Sequence, residues 1–340
     1  MTIVGNRPQT GNWNPAGIEL EKVGPSTFQL QLIARIGDTL EYKFTRGSWA
    51  TEALDPAGQI PNNYRLVVTG DTTIFHSIPD WRDYSYKPGA GITGTARYHS
   101  IDSSQLSGTR QLLVWLPPSY FADETAAYPV LYMTDGENTI DFCTAFRGRE
   151  WQVDEVATAL IDSGLIREFI LVAVYSSADR RSEYSPVQRG RLFSSFLVNT
   201  VKPMIDSTYR TQPGPENTAV MGSSMGGIIS FHLAWEYPQV FGMAGCLSPA
   251  FLVDEEEIVH RVAEYSGPVK PIKLYIDNGT VGLEASLQPA IDRMLPLLTA
   301  GGFREGENLI YIIANGAEHN EPAWAQRIHL PLKFFFGTGN

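Results

Sequence analysis

The sequence of 340 residues predicts an α/β protein with a mostly parallel central sheet and helices on both faces, preceded by a small antiparallel β-sandwich domain. Two observations predict it. From about Thr93 onward, β-branched apolar runs alternate with segments of helical length and spacing; joining such strands through helices requires crossovers, hence parallel pairing. Before Trp81, short alternating apolar stretches are separated by Gly, Pro, Asn and Asp with no convincing helix between them, the pattern of antiparallel strands and turns. The two domains are expected at residues 1–85 and 86–340.

In the first domain the strand pattern runs from Phe28 to Tyr42 and again from Tyr64 to Ile78. In the second, strands are expected to start near Thr93, Arg110, Tyr128, Phe169, Thr218, Gly242, Ile272 and Leu309. Helices are expected over Trp151 to Ser163, Leu192 to Ser207, Gly226 to Tyr237 and Leu287 to Ala300, between those strands. The short acidic run Asp254 to Glu257 reads as a solvated loop or a helix start. No internal repeat or low-complexity tract is present.

Composition narrows the function. With 43% hydrophobic and 19% charged residues the chain buries a large core, and its net charge of -11 repels nucleic acid and anionic membranes. No apolar run of about 18 residues reads as a membrane span, and the N-terminal residues lack a basic region followed by an apolar run, so no secretory signal is visible. Two cysteines, Cys143 and Cys246, exclude a disulfide framework and a four-cysteine zinc site. Cys246, inside an apolar run, is expected in the core.

The segment Thr218-Ala-Val-Met-Gly-Ser-Ser-Met-Gly-Gly-Ile-Ile contains G-x-S-x-G, as Gly222 to Gly226, between a β-run and a helical run. A sharp strand-to-helix turn needs glycines because a Cβ there would collide with neighbouring backbone, and it lifts the central serine, Ser224, clear of the sheet. The helix N-terminus behind it favours the negative charge of a tetrahedral acyl intermediate. Ser223 holds the second position of the motif and is expected to point elsewhere. A Gly/Ser-rich turn that merely caps a helix is the bland alternative.

A serine hydroxyl needs a base. In a fold of this kind the histidine follows both serine and acid, which eliminates His76, His99, His232 and His260 and leaves His319 and His329. His319 follows a β-run in a turn, whereas His329 sits in an apolar stretch suited to packing or capping, so His319 is the choice. For the acid, Lys273-Leu-Tyr-Ile-Asp-Asn-Gly-Thr-Val-Gly-Leu-Glu offers Asp277 at the strand end and Glu284 in the following loop; Glu284 is favoured, with Asp277 as the alternative. The oxyanion amides are expected from Met225 and from Gly136 or Glu137, with Asp135 fixing that loop. No metal-ligand cluster or phosphate-binding loop competes, and no cofactor is needed.

On these residues, the region from about Thr93 to Phe336 resembles the putative-esterase branch of the α/β-hydrolase superfamily, which includes siderophore esterases, feruloyl esterases and mycolyltransferase relatives. The matching stretches are Tyr128-Pro-Val-Leu-Tyr-Met with Asp135-Gly136, Arg180 with Glu183-Tyr184, Gly222 to Gly227, and Ala317-Glu-His319. The resemblance implies an α/β-hydrolase fold and a triad glutamate shortly after a Gly-Thr pair, here Gly279-Thr280 followed by Glu284 at a slightly longer spacing. The N-terminal segment is similar to starch-binding-type or early-set β-sandwich modules, through Gly11-Asn-Trp-Asn-Pro15 and Tyr42-Lys-Phe-Thr-Arg-Gly-Ser-Trp49. In such modules exposed Trp faces stack on sugars, which makes Trp49, and secondarily Trp13, candidate glycan contacts; core packing is the competing role.

The expected function is therefore a secreted or periplasmic serine carboxylesterase acting on a small-molecule or glycan-linked ester. An acyltransferase using the same triad and a noncatalytic glycan-binding protein on a hydrolase scaffold are the alternatives. Specificity is expected to reside in loops at Phe142 to Trp151, Ser176 to Arg191 and Phe251 to His260. Arg180 is a candidate for an anionic substrate group, or for a structural ion pair with Glu183. The sequence carries no signal of oligomeric state.

Overall fold

The structure, a computed structural model, describes residues 1–106 and 108–339. The chain divides into two compact units, Met1–Ala90 and Gly91–Asn340. In the first, Thr2–Gly5 pairs antiparallel with Ile18–Glu19 and with Thr39–Thr45, which in turn pairs with Tyr64–Val67. Two short antiparallel ladders accompany this sheet. Its core gathers Ile3, Leu20, Leu40, Tyr42, Phe44 and Ala53, supplied by the alternating faces of those strands.

The second unit is built on eight strands: β1 (Thr95–Asp102), β2 (Thr109–Leu116), β3 (Val130–Thr134), β4 (Ile170–Val174), β5 (Thr218–Ser223), β6 (Met243–Leu247), β7 (Lys273–Asn278) and β8 (Leu309–Ile313). They lie in the order β1-β2-β4-β3-β5-β6-β7-β8. β2 runs antiparallel to β1 and β4, and the remaining pairs are parallel. The central strands are buried along their whole length, as strands covered on both faces must be. Their alternation divides the core: Tyr132, Val172, Val220 and Cys246 face one side, Met133, Ala173, Met221 and Leu247 the other.

The helices are α1 (Val153–Asp162), α2 (Gln188–Phe196), α3 (Lys202–Thr208), α4 (Met225–Glu236), α5 (Val253–Glu264), α6 (Leu283–Ala300), α7 (Glu321–Arg327) and α8 (His329–Phe336). The single helix expected over Leu192 to Ser207 is interrupted by a π-helical turn, Leu197–Val201, just before Pro203. Proline has no N–H to give to the preceding turn, and a wider turn absorbs the lost bond. The segment Phe251 to His260, expected as a loop, lies mostly in α5, whose apolar side buries Ile258, Val259 and Val262. Helix α7 was not expected either, although Asn320 and Pro322 are an N-cap and a first-turn proline, and the Asn320 side chain accepts from the Ala323 N–H.

Candidate active site

Strand β5 and helix α4 form a continuous buried run from Thr218 to Trp235, broken only at half-buried Ser224. Ser224 has φ 55° and ψ -119°, a conformation that costs a non-glycine residue about 1–3 kcal/mol and persists only where packing enforces it. The neighbours enforce it. A Cβ on Gly222 would lie 2.0 Å from Thr134 Oγ1, and one on Gly226 would lie 2.4 Å from the same atom. The Ser224 N–H donates to Leu247 O (2.9 Å) and its carbonyl accepts from Ala250 (3.0 Å), tying the elbow to the end of β6. Met225 opens α4, so its N–H has no carbonyl within the helix to bond. Ser223 remains buried in β5.

Asp135 and Gly136 follow β3. Asp135 takes a left-handed conformation (φ 53°). It is held by a fork from Arg180, Nε to Oδ1 at 2.5 Å and Nη2 to Oδ2 at 2.6 Å, while its N–H donates to Tyr184 Oη at 3.1 Å. Gly136 admits no side chain, since a Cβ would sit 2.4 Å from Ala173 C. Next to it, the Glu137 carboxylate accepts from the Ser176 N–H (2.9 Å) and from the Ser176 hydroxyl. Burial, and then the charge of Asp135, push the Glu137 carboxyl upward.

His319 and Glu284 come together. His319 Nδ1 lies 3.4 Å from Glu284 Oε2. Both atoms are buried and make no hydrogen bond among the described residues; a buried donor and a buried acceptor facing one another are each other's natural partner. The imidazole stands edge-on to Trp324, 5.0 Å between ring centroids at 82°. The two loops are stitched together: the Thr280 and Val281 N–H groups both donate to Ala317 O (3.1 Å), and the Gly316 N–H donates to Thr280 Oγ1 (2.8 Å). The close approach requires Gly279, where a Cβ would lie 2.4 Å from Ala317 O. No Ser224–His319 hydrogen bond occurs among the described residues, and such contacts commonly tighten only once substrate is bound.

Asp277, the other carboxylate, is committed elsewhere. It accepts a fork from Arg327 (2.9 and 3.0 Å), a hydroxyl from Tyr275 (3.0 Å) and the Ser248 N–H (3.1 Å). Burial pushes its carboxyl upward, against the pull of these donors. Between the two acids sits Ser248, a residue the sequence reading passed over. Trp324 Nε1 (3.0 Å) and Arg327 Nη2 (3.1 Å) have only hydrogens to offer Ser248 Oγ, so its own hydrogen goes to Glu284 Oε1 at 2.7 Å. Its position directly after β6 was the available signal. Glu321 was also passed over; burial and the Asp135 charge push its carboxyl upward, and it senses His319 and Arg180.

The "Putative esterase" family model matches residues 103–296, more than half of the chain. The chain belongs to the putative esterase family, and with that to the ester-hydrolysing enzymes. Among relatives, the uncharacterized protein YbbA of Bacillus subtilis is 21% identical to this esterase over 243 residues, 69% of the esterase and 96% of the relative. A ferulic acid esterase structure superposes with TM-score 0.61 at 20% identity, covering 71% of the esterase and 98% of that chain. The enterobactin esterase FES from Shigella flexneri, solved in the presence of enterobactin, superposes with TM-score 0.62 at 12% identity, covering 98% and 87%. At such identities these structures share the α/β-hydrolase fold.

The Arg180–Glu183 ion pair does not form: the fork of Arg180 goes to Asp135, and Glu183 is instead paired in the interior with Arg110 at 2.6 Å. Glu183, buried beside β2, is already claimed there by Arg110, whereas Asp135 presents both oxygens to Arg180. In the N-terminal unit Trp49 is 38% exposed and Trp13 half-buried, neither among the core residues of that unit. No helix of the described residues is long and apolar enough to cross a membrane, and they contain no metal-ligand cluster.

Proposed function

We propose that the protein is a serine carboxylesterase in which Ser224 is the nucleophile, His319 the general base and then acid, and Glu284 the residue that orients the imidazole. The facing pair of buried atoms, His319 Nδ1 and Glu284 Oε2, carries this reading. Asp277 makes a poor triad acid because Arg327, Tyr275 and Ser248 already engage its oxygens. His319 takes the Ser224 proton as Oγ attacks the acyl carbon, and the N–H groups of Met225 and Gly136 hold the oxyanion. Collapse expels the alcohol with that proton and leaves an acyl-enzyme. Water, activated by the same imidazole, then releases the acid and restores the serine.

The neighbours named for ferulic acid and enterobactin support an aromatic acyl or siderophore-type ester, on a carbohydrate or a small molecule. The Arg180 Nη1 left over from the Asp135 fork is the group available to an anionic substrate. An acyltransferase would use the same steps with an alcohol in place of water. The exposed Trp49 favours a second role, glycan contact by the N-terminal unit. A secreted or periplasmic site of action fits a glycan-linked substrate, and fractionation of the native host tests it. The deciding assay is hydrolysis of p-nitrophenyl esters of increasing chain length and of methyl ferulate, with Ser224→Ala as the control. Turnover abolished by that substitution supports the reading; equal turnover by the variant, or failure of a fluorophosphonate to label Ser224 in the wild type, ends it.

A further inference from the structure

Helix α4 begins at the elbow and ends, on the far side of its own length, at a cavity of ≈ 600 Å³. Its charged lining is Arg191, Arg261 and Lys270 against the single carboxylate Glu236. On a chain of net charge -11 this local excess of cations is unexpected. Arg261 is neutralised by Glu236 (3.1 Å) and Glu257 (2.6 Å). Arg191 and Lys270 have no carboxylate within ion-pair distance among the described residues. Lys270 is instead held by ring faces, its Nζ 5.0 Å from the centroid of Trp235 and 4.7 Å from that of Tyr265. Glu236 acts on Lys270 only from beyond ion-pair distance, so the three cations of the lining outnumber its one carboxylate and favour an anion between them.

His232, which also lines the cavity, points the same way. Arg261 Nη1 can only donate, and it lies 3.0 Å from His232 Nδ1. Nδ1 therefore carries the lone pair and Nε2 carries the hydrogen. Burial, with the charges of Arg261 and Arg191, drives this imidazole down to about 3, so it is neutral. Its Nε2–H is buried and has no partner among the described residues. A buried donor of this kind calls for an acceptor.

We propose that the cavity bounded by Arg191, His232 and Lys270 is a binding site for a small polyanion, a phosphorylated or polycarboxylate metabolite, separate from ester hydrolysis. The volume exceeds what one phosphate group fills and suits a compound of metabolite size. Calorimetric titration with inorganic pyrophosphate and with citrate, at ionic strength matched by sodium chloride, tests this and tells phosphoryl from carboxylate ligands. At least one probe is expected to bind the wild type saturably, with affinity weakened about tenfold or more in Arg191→Gln/Lys270→Gln and unchanged in Arg180→Gln. The His232 Nε2 proton resonance is expected to move on binding. Absence of saturable binding by either probe, loss of it in Arg180→Gln in place of the double variant, or a static His232 resonance overturns the proposal.

Discussion

The tip of β7 and the first turn of α6, at the two ends of one short loop, each bury a carboxylate, yet the two environments differ in what they leave unused. At the strand tip every oxygen of Asp277 is claimed by Arg327, Tyr275 or a backbone N–H. At the helix start, Glu284 keeps one oxygen for Ser248 and turns the other toward His319. A fully satisfied acid braces the fold, whereas an acid with one free oxygen can respond to an imidazole that gains a proton. The contrast teaches that two equally buried carboxylates can differ in unspent hydrogen-bonding capacity, the property on which the proposed choice of Glu284 rests.

Mutation sharpens this contrast. The largest loss is expected for Ser224→Ala, about 10⁴-fold or more in kcat, with folding intact by circular dichroism. Glu284→Gln should cost about 10²- to 10⁴-fold in kcat at little cost in stability. Asp277→Asn should do the reverse: leaving Arg327 buried beside a neutral partner costs about 3 kcal/mol, read in urea unfolding, while the folded fraction keeps most of its kcat. If Asp277→Asn lost kcat at unchanged stability and Glu284→Gln did not, the two assignments would have to be exchanged. Ser248→Ala should fall between, about tenfold lower in kcat with KM nearly unchanged, because Glu284 loses the one hydroxyl that fixes its orientation.

An effect confined to the pH dependence of stability concerns a third carboxylate, on the approach to α1. Burial raises the Glu150 carboxyl from its ordinary 4.5 to about 8, with Glu155 and Asp141 adding like charge. The native state therefore holds a proton that the unfolded chain has released, so this contribution is complete below about pH 4.5 and is lost as pH rises toward about 8. The midpoint of thermal unfolding should fall across that window, and Glu150→Gln, which cannot ionise, should flatten the decline. An equal slope in the variant would remove Glu150 as its source.

The sequence made the centre of the sheet legible because parallel strands buried on both faces are written as apolar runs, and each of the eight expected runs, the antiparallel edge included, became a strand. The elbow was legible for a related reason: glycine is the residue that Thr134 tolerates at Gly222 and Gly226. Spatial choices were not legible. Nothing in the spacing of Asp277 and Glu284 announces that Arg327, fifty residues beyond Asp277, will claim the first and free the second. Ser248 is a lone hydroxyl after a strand, and its role depends on which donors arrive from α7. The same holds for Arg180, whose partner Asp135 lies directly after β3 and not three residues along the chain at Glu183.

The hydrogen bonds from Thr280 and Val281 to Ala317 have a consequence for how such a catalyst can diversify. They make the loop before α6 and the loop before His319 one mechanical part: an insertion in either must be matched in the other or Gly279 and Ala317 lose their close approach. Variation in substrate range is then channelled toward segments free of that coupling, such as residues 140–150 between the Gly136 turn and α1, where length can change without moving the paired loops.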